Sequence, residues 1–191
     1  VTHFTADLNR SDQPGALDES YSDVFGAMVD DDDWTHGEGS AGGTRDLSNP
    51  PRFGQPDHVN PMFSGDGLGL RPTPTVVTRT IDNDWGWVHT NSGIPNKAAY
   101  LIAQGGTHNS IVVNGIGRPK TGRLYYDVLT TRLASNAQLL EARNVTVEQA
   151  RAYVRGKPWP LPDDVRNDFT TTDVCDVINA FASVGLGPRD R

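Results

Sequence analysis

Gly15-Ala16-Leu17-Asp18-Glu19-Ser20-Tyr21-Ser22-Asp23-Val24-Phe25-Gly26-Ala27-Met28 is the stretch on which the reading of the chain turns. It is read as one helix, 15–29, whose two faces need different surroundings. Leu17, Tyr21, Val24 and Met28 recur at helical spacing and form an apolar stripe. Glu19 and Asp23 stand one turn apart on another face, with Gly26 and Asp30 continuing the line. Two carboxylates at that spacing cost about 0.2–0.5 kcal/mol when solvated, but several kcal/mol per ion when buried alone. One reading of the pair is a solvated acidic face. The other is burial, which demands a metal cation, a histidine or an arginine beside them.

Composition narrows the function classes. The chain has 191 residues, 36% of them hydrophobic, enough for one sizeable core, so 1–191 is read as a single domain. Its net charge of −7 is repelled by nucleic acid and by anionic membrane surfaces, and no apolar run reaches transmembrane length, so neither is expected as a partner. Cys175 is the only cysteine, which leaves no internal disulfide and no thiolate cluster for a metal. Its setting, Val174-Cys175-Asp176-Val177-Ile178, reads as a core helix in which the thiol is a small buried hydrophobe.

From 31 to 88 no period is sustained, and glycine and proline are frequent, as in Gly42-Gly43, Asn49-Pro50-Pro51 and Pro72-Thr73-Pro74. Helices are expected after it. The first, 94–104, has Ile94, Ala98, Leu101 and Ile102 inward and stops at Gly105-Gly106; 107–117 is read as a connector. Next come 118–133, with Leu124, Tyr125, Val128 and Leu129 inward, and 136–154, with Leu139, Leu140, Ala142, Val147 and Ala150. Pro158, Pro160 and Pro162 break the chain, and a last helix capped by Thr172-Asp173 turns Val174, Val177, Ile178, Phe181 and Val184 inward before Gly185. The expected fold class is mainly α with a long irregular loop region.

The opening stretch resembles the Gly-Ala-x-Asn-Glu-x-x-Ser-Asp-x-x-Gly motif of thermolysin-like zinc metallopeptidases, with Asp18 where asparagine is usual. A second block, Asp84-Trp85-Gly86-Trp87-Val88-His89-Thr90-Asn91-Ser92-Gly93-Ile94-Pro95-Asn96-Lys97-Ala98-Ala99-Tyr100, resembles that family's Gly-x-Val-His-x-Asn-Ser-Gly-x-x-Asn-x-Ala-x-Tyr. The resemblance implies the C-terminal helical domain of an endopeptidase that hydrolyses peptide bonds with metal-activated water. It makes Glu19 the third zinc ligand and Asp23 the acceptor that holds a zinc-bound histidine, since zinc takes a carboxylate oxygen beside imidazoles whose other N–H is fixed.

His89 becomes the histidine that donates to the oxyanion, and Asp84 the carboxylate that orients and charges it. Trp85 and Trp87 stand where the family often has small residues. Arg45, within Gly43-Thr44-Arg45-Asp46-Leu47-Ser48-Asn49-Pro50, matches the arginine that binds the substrate carbonyl and lines the specificity pocket, a task suited to a planar group with five donors. Arg10 falls where the family often places a tyrosine beside the oxyanion; an arginine can still donate to a negative oxygen, but surface salt-bridging is the preferred reading, and Arg10 is given no catalytic assignment. The resemblance also implies calcium, with Asp30, Asp33 and Glu38 as its ligands and Thr35 at a position often held by glutamate; read without it, the run from Asp30 to Asp33 is a solvated acidic loop. His58 is given no metal role.

The family's His-Glu-x-x-His is not in the chain: no two of His3, His36, His58, His89 and His108 lie four apart. Val1 to Leu8 is read as the last turns of the helix that would carry it. The expectation is the C-terminal half of a catalytic unit, inactive alone and secreted, whose partners are its missing N-terminal half and a protein or peptide substrate. The competing expectation is a non-catalytic, peptidase-like and calcium-binding interaction module.

Overall fold

A computed structural model of the chain describes residues 2–37, 39, 43–72, 79–156 and 165–189. The helix predicted over 15–29 is α1, Asp12–Val29. It starts three residues early because Asp12 takes a positive φ of 57° and Pro14 sits within the first turn, where its missing N–H costs nothing. Leu17, Tyr21 and Val24 are buried as expected, and Met28 packs half-buried on the core. The N-terminal residues form a single 3-10 turn, Thr2–Phe4, rather than longer helical turns, with Thr2 Oγ1 donating to the Asp18 carboxylate.

The region after α1 is irregular but tied down. A two-residue ladder pairs β1 (Thr35–His36) with β2 (Arg45–Asp46), placing His36 opposite Arg45. The segment from the end of α1 into β1 is held by Arg118, whose guanidinium donates to the carbonyl oxygens of Ala27, Asp30 and Asp33 and lies 4.2 Å from the centre of the Trp34 ring. Further on, Asp66 accepts from Ser64, from the Leu68 and Gly69 N–H groups and from Arg71.

Next, α2 (Asp84–Asn91) opens on four residues of positive φ: Asp84 (49°), Trp85 (50°), Gly86 (89°) and Trp87 (68°). They make one left-handed turn before the chain becomes right-handed at Val88.

Four further helices build the core beneath α1: α3 (Gly93–Gln104), α4 (Arg118–Thr131), α5 (Leu139–Arg155) and α6 (Thr171–Ser183). The apolar positions predicted for α3, α4 and α6 are buried, and Tyr21 meets Tyr125 with ring centres 5.4 Å apart. Leu140 on α5 departs from prediction, 49% exposed. Cys175 also departs from it, being half-buried rather than in the core.

The stretch read as a connector is in part a hairpin, β3 (Gly106–His108) with β4 (Ile111–Val113), closed by Asn109 and Ser110 at φ 46° and 62°. Both turn residues are left-handed, as a tight I′ hairpin requires; strands of three residues are too short for alternation to be seen. The last helix is capped two residues earlier than predicted, at Thr170. Thr170 accepts from the Asp173 N–H and Asp173 accepts from the Thr170 N–H, a reciprocal capping box. The predicted break at Pro158, Pro160 and Pro162 lies outside the described residues.

Candidate active site

The two carboxylates of α1 meet the partners their burial demanded. Asp23 is 11% exposed at its side chain and Glu19 32%. Arg45 reaches across from β2 to both: Nη2 is 3.3 Å from Glu19 Oε2, and Nε is 3.1 Å from Asp23 Oδ2, though out of line for a hydrogen bond. Asn96 of α3 donates to Asp23 Oδ2 at 2.8 Å, and the His36 Nε2 donates to the Asp23 carbonyl at 2.8 Å. Burial raises the Asp23 pKa above its ordinary value, against the pull of Arg45, the Asn96 amide, His36 and His89. The group is thus a desolvated carboxylate that gains from any further donor.

His89 closes the site from α2. Its Nδ1 is 2.5 Å from Asp84 Oδ1, and the other Asp84 oxygen accepts from the His89 and Thr90 N–H groups at 3.0 and 3.1 Å. One carboxylate therefore holds both the ring and the backbone of the helix that carries it. It can do so because the left-handed turn folds Asp84 back over the first right-handed residues. Nδ1–H given to Asp84 leaves Nε2 facing the cleft, 3.4 Å from Glu19 Oε2. The buried Gln55 and Ser92 side chains donate to the His89 carbonyl at 2.5 and 2.9 Å, which fixes the helix from below.

The cleft between these elements has a volume of about 510 Å3 and is lined by Arg10, Gly15, Asp18, Glu19, Trp85, Val88 and His89. Gly15 lets the walls approach. A Cβ there would lie 2.5 Å from Val88 Cγ1 and 2.8 Å from the Arg10 carbonyl carbon. Glu19, Asp23, Arg45, Asp84 and His89, chosen from separate stretches of sequence, thus form one connected group. Reasoning from sequence missed His36, Asn96 and Gln55 as its supports, and Arg10 as a cleft residue. Asn96 and Ser92 lie within the quoted second block, so a partner for Asp23 was within reach of a reading of that block; His36 and Gln55 carry no local signal. Of the expected calcium ligands, Asp30 and Asp33 are exposed at the end of α1, and Glu38 lies outside the described residues.

The family model described as the thermolysin metallopeptidase alpha-helical domain matches residues 6–186. The chain belongs to the thermolysin metallopeptidase family. Among curated relatives, it is 43% identical over 156 residues to a bacillolysin of Brevibacillus brevis, an alignment covering 78% of this chain and 27% of that protein. It is 37% identical to the thermostable neutral protease NprT of Geobacillus stearothermophilus, over 97% of this chain and 31% of the relative. Among solved structures, the precursor of protealysin, a metalloproteinase from Serratia proteamaculans, superposes with a TM-score of 0.61 at 30% identity, covering 98% of this chain and 54% of that one. As a thermolysin-family domain the chain spans about a third or less of the length of those two curated relatives, and its helical fold is the one that the family's description names.

Proposed function

We propose that this domain is the C-terminal half of the catalytic unit of a secreted zinc endopeptidase. The observation that carries the reading is Glu19, held at the cleft by Arg45 and His89 while Asp84 fixes the histidine. The donor set fits zinc in part: one carboxylate oxygen faces the cleft, and a metalloenzyme site takes three protein ligands. The remaining two ligands and the general base come from a His-Glu-x-x-His helix in the upstream part of the parent protein.

When bound, zinc supplies a water of lowered pKa and polarises the substrate carbonyl. The chain's own residues do the rest. Glu19 is the carboxylate ligand, and Asp23 accepts the N–H of a liganding imidazole beside the Asn96 amide it already accepts. His89 presents Nε2–H to the oxyanion while its Nδ1 stays on Asp84. Arg45 binds the neighbouring peptide carbonyl with whichever of its donors the carboxylates leave free. By itself the 191-residue chain cleaves no peptide, because one carboxylate does not hold catalytic zinc.

The reading extends to calcium at Asp30, Asp33 and Glu38. Against calcium stands Arg118, which already takes the carbonyl oxygens of Ala27, Asp30 and Asp33. Calcium retained per molecule after gel filtration decides this point.

The deciding experiment is elemental zinc and chelator-sensitive peptide hydrolysis on the full-length product. One zinc per molecule, lost with Glu19→Gln together with activity, is the expected result. No zinc and no hydrolysis in the full-length protein would make the domain an interaction module instead.

A further inference from the structure

Asn96 is an amide in an apolar stretch of helix. It lies in the first turns of α3, 1% exposed, among Ile94, Pro95, Ala98 and Ala99, all of them buried. Asparagine is a poor helix former because its side chain competes for backbone hydrogen bonds, and its amide brings two donors and an acceptor that need partners when buried. Only part of that demand is met. Nδ2 donates to Asp23 Oδ2 at 2.8 Å, while Oδ1 has no donor among the described residues. Turning the amide over would set its oxygen against an ionised carboxylate, which only accepts. The orphaned acceptor costs stability, so the residue is held for what Nδ2 does.

Nδ2 distinguishes the two oxygens of Asp23. Oδ2 is also the oxygen that Arg45 approaches, with Nε 3.1 Å away but out of line. The main chain at Asp23 is fixed separately, its carbonyl accepting from His36 Nε2 at 2.8 Å. Only the turn of the carboxylate is left to set. A donor in line on Oδ2 sets it, and Oδ1 is left without a donor among the described residues. The amide itself is rigidly placed. α3 follows α2 after a single residue, Ser92, whose hydroxyl donates to the His89 carbonyl at 2.9 Å. Gly93, at the start of α3, packs so closely that a Cβ would lie 2.6 Å from the Pro56 carbonyl oxygen. His89 and Asn96 thus ride on one fixed piece of chain, the first facing Glu19 and the second Asp23.

We propose that Asn96 is a positioning residue of the metal site: by holding Asp23 Oδ2 against the pull of Arg45 it keeps Oδ1 free for the N–H of the liganding imidazole, and so sets how tightly zinc is kept. The inference rests on the peptidase reading above. Without Asn96, Arg45 is the one side chain left on Oδ2. A full charge at that range draws the carboxylate round towards β2, and the imidazole loses its acceptor. Groups behind the ligands of a metal act through the orientation and basicity of those ligands, and their loss costs about 10- to 100-fold in metal affinity or activity.

The test is the zinc affinity of the full-length protein, measured without substrate by competition with a chromogenic zinc chelator, for Asn96→Leu, Asp23→Ala and the two combined. Leucine keeps the branched outline of asparagine and removes the donor together with the orphaned acceptor. Asn96→Leu is expected to weaken zinc binding about 10- to 100-fold, with the Tm of the zinc-free protein within about 5 °C of the parent. In the Asp23→Ala background the same change should move zinc affinity less than about twofold, because a residue that acts through Asp23 has nothing left to act on. If Asn96→Leu fails to fold, Asn96→Ala carries the same expectations. Zinc affinity within about twofold of the parent, or single losses that multiply in the double variant, overturns the proposal. A raised KM at saturating zinc with zinc affinity unchanged overturns it too, since the amide would then act through Arg45 on the substrate. A full-length protein with no zinc and no hydrolysis overturns the peptidase reading and this inference with it, whereas an active zinc enzyme whose zinc affinity is indifferent to Asn96 overturns the inference alone.

Discussion

Single atoms decide the cleft. Gly15→Ala adds one methyl where Val88 Cγ1 would be 2.5 Å away and the Arg10 backbone 2.8 Å away, and backbone cannot step aside as a flexible side chain can. The expected cost is about 1–3 kcal/mol, read as a lower Tm of the domain, and in the full-length enzyme as lost activity beyond that expected from the fraction unfolded. Asp84→Asn keeps the size of the side chain but trades an acceptor of the His89 ring and backbone for an amide. The Asn variant should lower kcat about 10- to 1,000-fold with the Tm little changed; an unchanged kcat would remove Asp84 from the mechanism. At this scale the sequence was informative where a residue type and a motif agreed, as for Glu19, Asp23, Asp84 and His89. It was silent on Gln55 and His36, whose roles depend on distant backbone meeting them in space.

At the level of elements, α1 and the stripes of α3, α4 and α6 were legible because burial of one face imposes the helical period. The left-handed turn at 84–87 was not, since two of its four residues are tryptophans, which rarely adopt positive φ. The β3–β4 hairpin escaped for lack of length.

Two elements carry predictions of their own. Arg118→Ala, at the start of α4, strips a donor from three carbonyl oxygens at the end of α1 and a cation from the face of Trp34. It should lower stability by about 1–3 kcal/mol, measured by chemical denaturation, with little change in helix content. The loop around Asp66 carries a pH signature. Burial pushes its carboxyl up, but hydrogen bonds from Ser64, Leu68, Gly69 and Arg71 outweigh that and hold its pKa at about 2. A pKa lower in the folded state than in the unfolded chain stabilises the fold above the ordinary carboxylate range, and the contribution is lost as pH falls through about 2. Asp66→Asn should therefore lower the Tm at pH 7, and the gap to the parent should close towards pH 2.

Taken whole, the molecule gathers its chemistry on one wall. α1 presents Glu19 and Asp23, β2 brings Arg45, and α2 brings His89, while α3 to α6 hold that wall from behind. The expected counterpart is the upstream half of the catalytic unit. Mixing this chain with a separately produced upstream half should give a zinc-containing complex on gel filtration, and neither half alone should retain zinc. Two separate peaks, each without zinc, would count against such a division. The left-handed turn bears on heat as well. Asp84, Trp85 and Trp87 sit in a backbone region that L-residues enter at a cost of order 1–3 kcal/mol each, and they are kept there by docking on the start of α1 at Gly86 and Asp12. A segment so held is expected to slacken first on warming, and it carries the histidine. The parent enzyme should thus have two thermal limits, with catalytic inactivation a few degrees below the melting of its helices.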